Sequence, residues 1–180
     1  RKHQPGILVV DRTVGGEYEN YVTPEGHVPD ADLGVPWETC MPMGTSWSWV
    51  PNERYKSTDD IIRTLVKVVS RGGSLLLNVA PGPDGQLDST AYVRLKEVGA
   101  WLKVNGEAVY GTSALAVDPN RSGVIGATTG KDGSTYLFCE PGKQVAWPWG
   151  GGARPKATGL ANGERLRPIL REGIIYIAAP

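Results

Sequence analysis

Apolar positions along the chain fall into two textures that divide near residue 110. In the first, residues 6–10 (Gly-Ile-Leu-Val-Val) form a continuous apolar run closing on Asp11-Arg12, which predicts a buried parallel strand with polar groups at its C-terminal end. Residues 13–35 are rich in Gly, Pro, Glu and Tyr and read as a long loop; loops of that length inside a compact domain usually serve function. A second buried strand is predicted over 37–41, with loop over 47–52. Ser57, with an acid three residues on at Asp60, predicts a helix N-terminus. The apolar stripe that follows is Ile61, Ile62, Leu65, Val66, Val68 and Val69, at helical spacing, and Gly72-Gly73 ends it. Residues 75–79 predict another buried strand and 81–87 a turn-rich loop. A helix capped near Asp88 or Ser89 runs to about Val104, with Leu95, Val98 and Leu102 on its inner face. Strand, helix, strand, helix at this spacing is the signature of βα units in a parallel sheet.

The second texture is short β-type runs at 114–117, 124–128, 134–140, 144–147, 166–170 and 174–178, separated by Gly, Pro, Asp and Asn. Lys131-Asp132-Gly133 and Arg171-Glu172-Gly173 have hairpin-turn composition. These runs predict an antiparallel β-sandwich, so the expected domains are 1–110 and 111–180. Trp147 and Trp149 could form a sugar platform, but packing is the preferred reading.

Charge changes the picture by exclusion. Lys plus Arg and Asp plus Glu balance at 19 each in 180 residues, so no net field favours a nucleic acid or an anionic membrane. Neither partner is expected. No run approaches the roughly 20 apolar residues of a membrane span, and the first residues lack the apolar core of a signal peptide. The chain begins at Arg1, which suggests a start partway through a gene product. Cys40, Cys139, His3 and His27 have no neighbours at metal-ligand spacing, so neither metal nor cofactor is expected. Gly72-Gly73 precedes a strand instead of opening a helix, the wrong context for phosphate, and no Ser-His-Asp arrangement competes.

The chemistry concentrates in Pro36-Trp37-Glu38-Thr39-Cys40-Met41 and Ser46-Trp47-Ser48-Trp49. A carboxylate can move protons or support one that does, and indoles pack on the C–H face of a sugar ring while donating their N–H. Sugar-site chemistry is one reading; core packing of the Trp residues around a hydrogen-bonded Glu38 is the other, and composition alone favours it. Arg12, at a strand end, offers its guanidinium fork to sugar hydroxyls or to a carboxylate; a salt bridge to Asp11 or another acid is the ordinary alternative. Glu25 stands among equally plausible loop acids, Glu17 and Glu19. Trp49 reads as packing and Asp84-Gly85 as a turn.

Asp11-Arg12, Thr23-Pro24-Glu25, Pro36-Trp37-Glu38, Ser46-Trp47, the run from Gly72 to Pro81 with Asp84-Gly85, and the stretch from Trp101 to Thr112 resemble, in order and approximate spacing, the family 29 glycoside hydrolases, retaining α-L-fucosidases. The resemblance implies an α/β plus all-β chain: the C-terminal part of a (β/α)8 TIM-like barrel followed by an antiparallel β-sandwich. A complete barrel takes about 250 residues, so residues 1–110 would be its later strands only. It further implies Glu25 as general acid/base with Glu38 as second choice, and Arg12, Trp47 and Trp37 as substrate-binding residues. The nucleophilic Asp of the family lies upstream of the segment matching Asp11-Arg12, outside this chain. Expected partners are a fucosylated glycan or oligosaccharide, and either the missing barrel half or a second copy of the chain. A secreted, periplasmic or lysosomal-type compartment is expected from the same resemblance. The rival expectation is a catalytically silent carbohydrate-binding or interaction fragment of that fold.

Overall fold

A computed structural model describes residues 2–12, 15–117, 123–152 and 156–179. The chain divides into two compact units, Arg1–Val98 and Gly99–Pro180.

The first unit is built on two parallel strands, β1 (Trp37–Pro42) and β2 (Gly73–Asn78), joined in register from Trp37 opposite Gly73 to Pro42 opposite Asn78. Between them runs α1 (Thr58–Ser70), as the periodicity predicts. Its N-terminus is a reciprocal cap: the Ser57 hydroxyl oxygen accepts the Asp60 amide at 3.1 Å and donates to the Asp60 carboxylate at 2.6 Å. Gly72, at φ +79°, turns the chain out of the helix. The apolar stripe of α1 packs against β2, with Ile61, Val66 and Val68 fully buried. Met43, Ile61 and Ala91 form the buried centre of this unit, ringed by Tyr55, Leu77, Val79, Leu87 and Val98.

Two more segments extend the parallel arrangement. Val10 bridges Tyr21, Val22 bridges Trp37 and Glu25 bridges Cys40, each in parallel. The expected long loop over 13–35 therefore contains a strand-like segment laid against β1, held by Glu38 N–H to the Val22 carbonyl and Gly26 N–H to the Cys40 carbonyl, each at 3.0 Å.

Burial differs from expectation at three places. The 6–10 run is parallel where it pairs, at Val10, but is not buried: Leu8 is 72% exposed. Among the described residues its bridge is to Tyr21. In β2, Leu76 is 50% exposed, because α1 covers one face of the strand and successive side chains alternate faces. The second long helix, α2 (Ser89–Asn105), turns Ala91, Arg94 and Val98 inward, so Leu95 falls on the exposed side. Arg94 takes the inner position, its Nε donating to the Lys56 carbonyl at 3.2 Å. Asp88, expected as a cap, commits its carboxylate instead to the Tyr55 hydroxyl at 2.9 Å and the Trp49 indole N–H at 3.4 Å.

The second unit is antiparallel throughout its sheets. After a 3-10 turn (Gly106–Ala108) come β3 (Ser113–Leu115), β4 (Val124–Thr129) and β5 (Thr135–Cys139), which form one sheet in that order. Further on, β6 (Gln144–Pro148), β9 (Ile169–Arg171) and β10 (Ile174–Ala178) form a second sheet with β10 central, and β7 (Ala157–Thr158) with β8 (Arg165–Leu166) make a short ribbon. The turn at Glu172-Gly173 has positive φ at both residues, 47° and 74°, the geometry that matches strand twist in a two-residue hairpin. Ala127, Phe138, Val145 and Ile175 are buried. Phe138 stacks on Trp101 with centroids 6.3 Å apart, and buried Thr128 donates to the Ala108 carbonyl at 2.7 Å.

Candidate functional site

Strand register brings Arg12 and Glu25 together. With Val10 bridged in parallel to Tyr21, Asp11 follows level with Val22 and accepts from the next residue, Thr23, both its amide at 3.0 Å and its hydroxyl at 2.6 Å. Those two bonds, the hydroxyl first, hold the Asp11 carboxyl below the usual carboxylate range. The next residue, Arg12, then reaches Glu25 and forms an ion pair through Nη1 and Oε2. Both side chains are nearly half exposed, at 46% and 47%. The hydrogen bond that Arg12 donates to Glu25 raises the guanidinium further above its already high pKa. Arg12 thus forms a salt bridge, and its acid is Glu25, not Asp11.

Glu25 does not sit on a free loop. It ends the strand-like segment, bridged to Cys40, immediately before Gly26. Its carbonyl lies 3.2 Å from His27 Nδ1. In β1, alternation sends Glu38 and Cys40 to one face and Trp37 and Thr39 to the other. The first face is the one opposite α1, shared in register with Ser74 and Leu76 of β2. Burial, and after it the charge of Glu25, push the Cys40 thiol up, while Arg12 pulls it down and Glu38 adds to the rise. One thiol thus senses both carboxylates and the guanidinium.

Trp37 has a different position from the one expected of a sugar contact. It is 3% exposed, its indole N–H donates to the Arg71 carbonyl at 3.1 Å, and its ring fills the space beside Gly73 where a Cβ would stand. Buried Thr39, next on that face, donates to the His27 carbonyl at 2.7 Å.

Trp47 is 42% exposed, on the loop leaving the C-terminal end of β1. The Asn78 amide, at the end of β2, donates to the Trp47 carbonyl at 3.0 Å. Beside it a shallow cleft, open to solvent, is lined by Gly44, Ser46, Trp49, Glu53, Tyr55 and Asn78 among others. The carboxyl ends of parallel strands are where α/β folds place their ligands.

Sequence reasoning missed Glu53. Its Oε1 accepts the Thr45 amide at 2.9 Å, the Thr45 hydroxyl at 2.6 Å and the Arg54 amide at 2.8 Å, while Oε2 accepts the Ser46 amide at 3.3 Å. The Thr45 hydroxyl and amide are the main reasons its carboxyl lies below the usual range. Apart from the adjacent Arg54, its partners lie seven and eight residues away in a loop, with no periodic pattern to mark them. Tyr55, whose hydroxyl donates to Asp88, is pushed up to about 12, chiefly by burial. Among the described residues no group of three or more His, Cys, Asp or Glu side chains is arranged to hold a metal ion, and no helix is long and apolar enough to cross a membrane.

A family model described as Alpha-L-fucosidase matches residues 1–107, and the chain belongs to that family. Plasma alpha-L-fucosidase of Homo sapiens is 36% identical over 96 residues, 51% of this chain and 21% of its own length. Alpha-L-fucosidase of Branchiostoma floridae is 35% identical over 118 residues, 62% of this chain and 25% of its own. The chain therefore spans about a quarter or less of these relatives. Among solved structures, alpha-L-fucosidase isoenzyme 1 of Paenibacillus thiaminolyticus superposes with a TM-score of 0.85 at 25% identity, over 100% of this chain and 48% of that one. The alpha-fucosidase of Thermotoga maritima gives 0.78 at 29% identity, over 99% and 42%; that enzyme has also been solved in complex with fucose.

Proposed function

We propose that the protein is a retaining exo-α-L-fucosidase that removes terminal α-L-fucose from glycans, oligosaccharides or glycoconjugates, and that these residues supply the acid/base half of its site. The observation that carries this reading is the Arg12–Glu25 ion pair at the ends of neighbouring parallel segments, inside the stretch matched by the family model.

In this reading residues 1–110 are the later strands of a (β/α)8 barrel and 111–180 a β-sandwich. The nucleophilic carboxylate comes from chain outside these residues. It attacks the anomeric carbon while Glu25 gives its proton to the departing glycosidic oxygen, forming a covalent glycosyl-enzyme. Glu25, now a carboxylate, takes a proton from the water that attacks the same carbon and releases fucose. Arg12 fixes where the Glu25 carboxylate sits and can also present N–H donors to sugar hydroxyls. Trp47 offers an exposed indole face to the sugar ring and its methyl group. Trp37, sealed beneath the strand, supports the pocket and does not touch sugar. Glu38, from its place on the face opposite α1, orders the pocket floor. No cofactor takes part, and a secreted, periplasmic or lysosomal-type setting suits the substrate.

The test is fucose release from an aryl α-L-fucoside by the 180-residue chain, alone and joined to an upstream segment that ends a parallel strand with Asp. Release only from the joined protein is expected. Release by the chain alone overturns the division of the carboxylate pair; no release from either, with fucose still bound, identifies a silent carbohydrate-binding module.

A further inference from the structure

The loop over 43–56 carries Trp47 and is fastened at every level. At its base the Lys56 amide donates to the Met43 carbonyl at 2.9 Å, and Lys56 Nζ donates to the carbonyls of Pro42 at 2.6 Å and Gly44 at 3.1 Å. On one side Asn78 holds the Trp47 carbonyl. On the other, the Glu53 carboxylate collects Thr45 and Ser46, the two residues that precede Trp47. Gly44 makes room for it: a Cβ there would lie 2.7 Å from both Cγ and Oε2 of Glu53. The carboxylate therefore lies flat against the backbone, with acceptors where three N–H groups and a hydroxyl converge.

We propose that Glu53 is a positioning residue for the sugar subsite, locking Thr45 and Ser46 so that Trp47 is presented in its binding orientation before the 6-deoxy sugar arrives. The proposal rests on the reading of Trp47 as the sugar-facing aromatic. Both Glu53 oxygens are occupied as acceptors, so it is not a proton donor to substrate. Its charge matters because all its partners donate: a glutamine keeps the acceptor oxygen but turns an NH2 toward the Ser46 N–H. A surface loop that must order on binding loses affinity to the ordering, and a preformed one does not.

The experiment uses the 180-residue chain labelled with 5-fluorotryptophan and read by fluorine NMR, the Trp47 line being assigned by Trp47→Phe and the probe being L-fucose. Glu53→Ala and Gly44→Ala attack the same contact from opposite sides. Both should displace or broaden the Trp47 line while leaving the Trp37 and Trp101 lines in place; Glu53→Gln should displace it less. Apparent L-fucose affinity, read on the same line, should weaken roughly two- to tenfold in Glu53→Ala and recover partly in Glu53→Gln. A Trp47 line unmoved in Glu53→Ala, or moved together with the Trp37 and Trp101 lines, overturns the proposal. If the wild-type Trp47 line ignores fucose while Glu53→Ala still displaces it, the fastening stands and the fucose reading falls.

Discussion

The two faces of β1 hold their residues in opposite ways. On the face toward α1, Trp37 and Thr39 are buried, and each side chain has a fixed backbone partner, Arg71 for the indole and His27 for the hydroxyl. On the other face Glu38 and Cys40 stand over the exposed Ser74 and Leu76, and Glu25 beside them has a half-exposed guanidinium as its ion-pair partner. A polar group locked into one buried bond stabilises a fold but has nothing left to exchange. A carboxylate with a solvent-accessible partner can trade protons and ligands. The same sequence motif, Trp37-Glu38-Thr39-Cys40, therefore sends one residue into packing and the next onto the open face where the proposed site lies.

Changes on the open face should alter chemistry and spare stability. In the enzyme as proposed, completed with an upstream nucleophile, Glu25→Ala should lower turnover of poor leaving groups by roughly 10² to 10⁴-fold, with little loss for good ones and with azide rescuing the second step. Glu38→Ala should weaken all leaving groups alike, without rescue. Rescue in the Glu38 variant and none in the Glu25 variant would exchange the two roles.

The covered face should answer in the reverse sense. Trp37→Ala empties a buried indole site and should cost about 3–5 kcal/mol in a denaturant melt; a change near zero would mean that the ring is not packed as described. Thr39→Val keeps shape but strands the His27 carbonyl. It should cost about 1 kcal/mol, and a variant as stable as wild type would remove Thr39 from the account.

The smallest effect concerns pH at the strand ends. Asp11 is depressed by Thr23, so its contribution is complete above the unfolded carboxyl range, about 3.9, and is lost as pH falls through the lower folded value. The Thr23 amide resonance should report that titration, and Asp11→Asn should abolish it. A Thr23 signal that titrates unchanged in Asp11→Asn would deny the link beside the Arg12–Glu25 pair.

The sequence made α1 legible because capping and period act within one segment: Ser57, Asp60 and the stripe from Ile61 need no distant partner. β1, β2 and the turn at Glu172-Gly173 were legible for the same reason. The segment around Tyr21, Val22 and Glu25 was not, since its pairing consists of scattered parallel bonds to residues far along the chain and its composition, with Pro24 and Glu25 at the end, is that of a loop. Leu95 misled because an apolar residue one position off the inner line of a helix looks identical in sequence to one on it. At the site, the family resemblance pointed to Arg12, Glu25 and Trp47, since residue type alone left Glu25 level with Glu17 and Glu19; the bonds from Thr23 to Asp11 beside the Arg12–Glu25 pair announce nothing in sequence. Glu53 was invisible because loop bonds obey no period.

The indole lying in the space beside Gly73 carries an evolutionary consequence. Any side chain at 73 collides with the ring of Trp37, so position 73 cannot drift while the ring stays: a lineage that acquires even alanine at 73 must first shrink or turn the residue at 37. Homologous chains should therefore show the two positions changing as a pair, and a Trp facing a residue larger than glycine should be found only where the local backbone has moved apart.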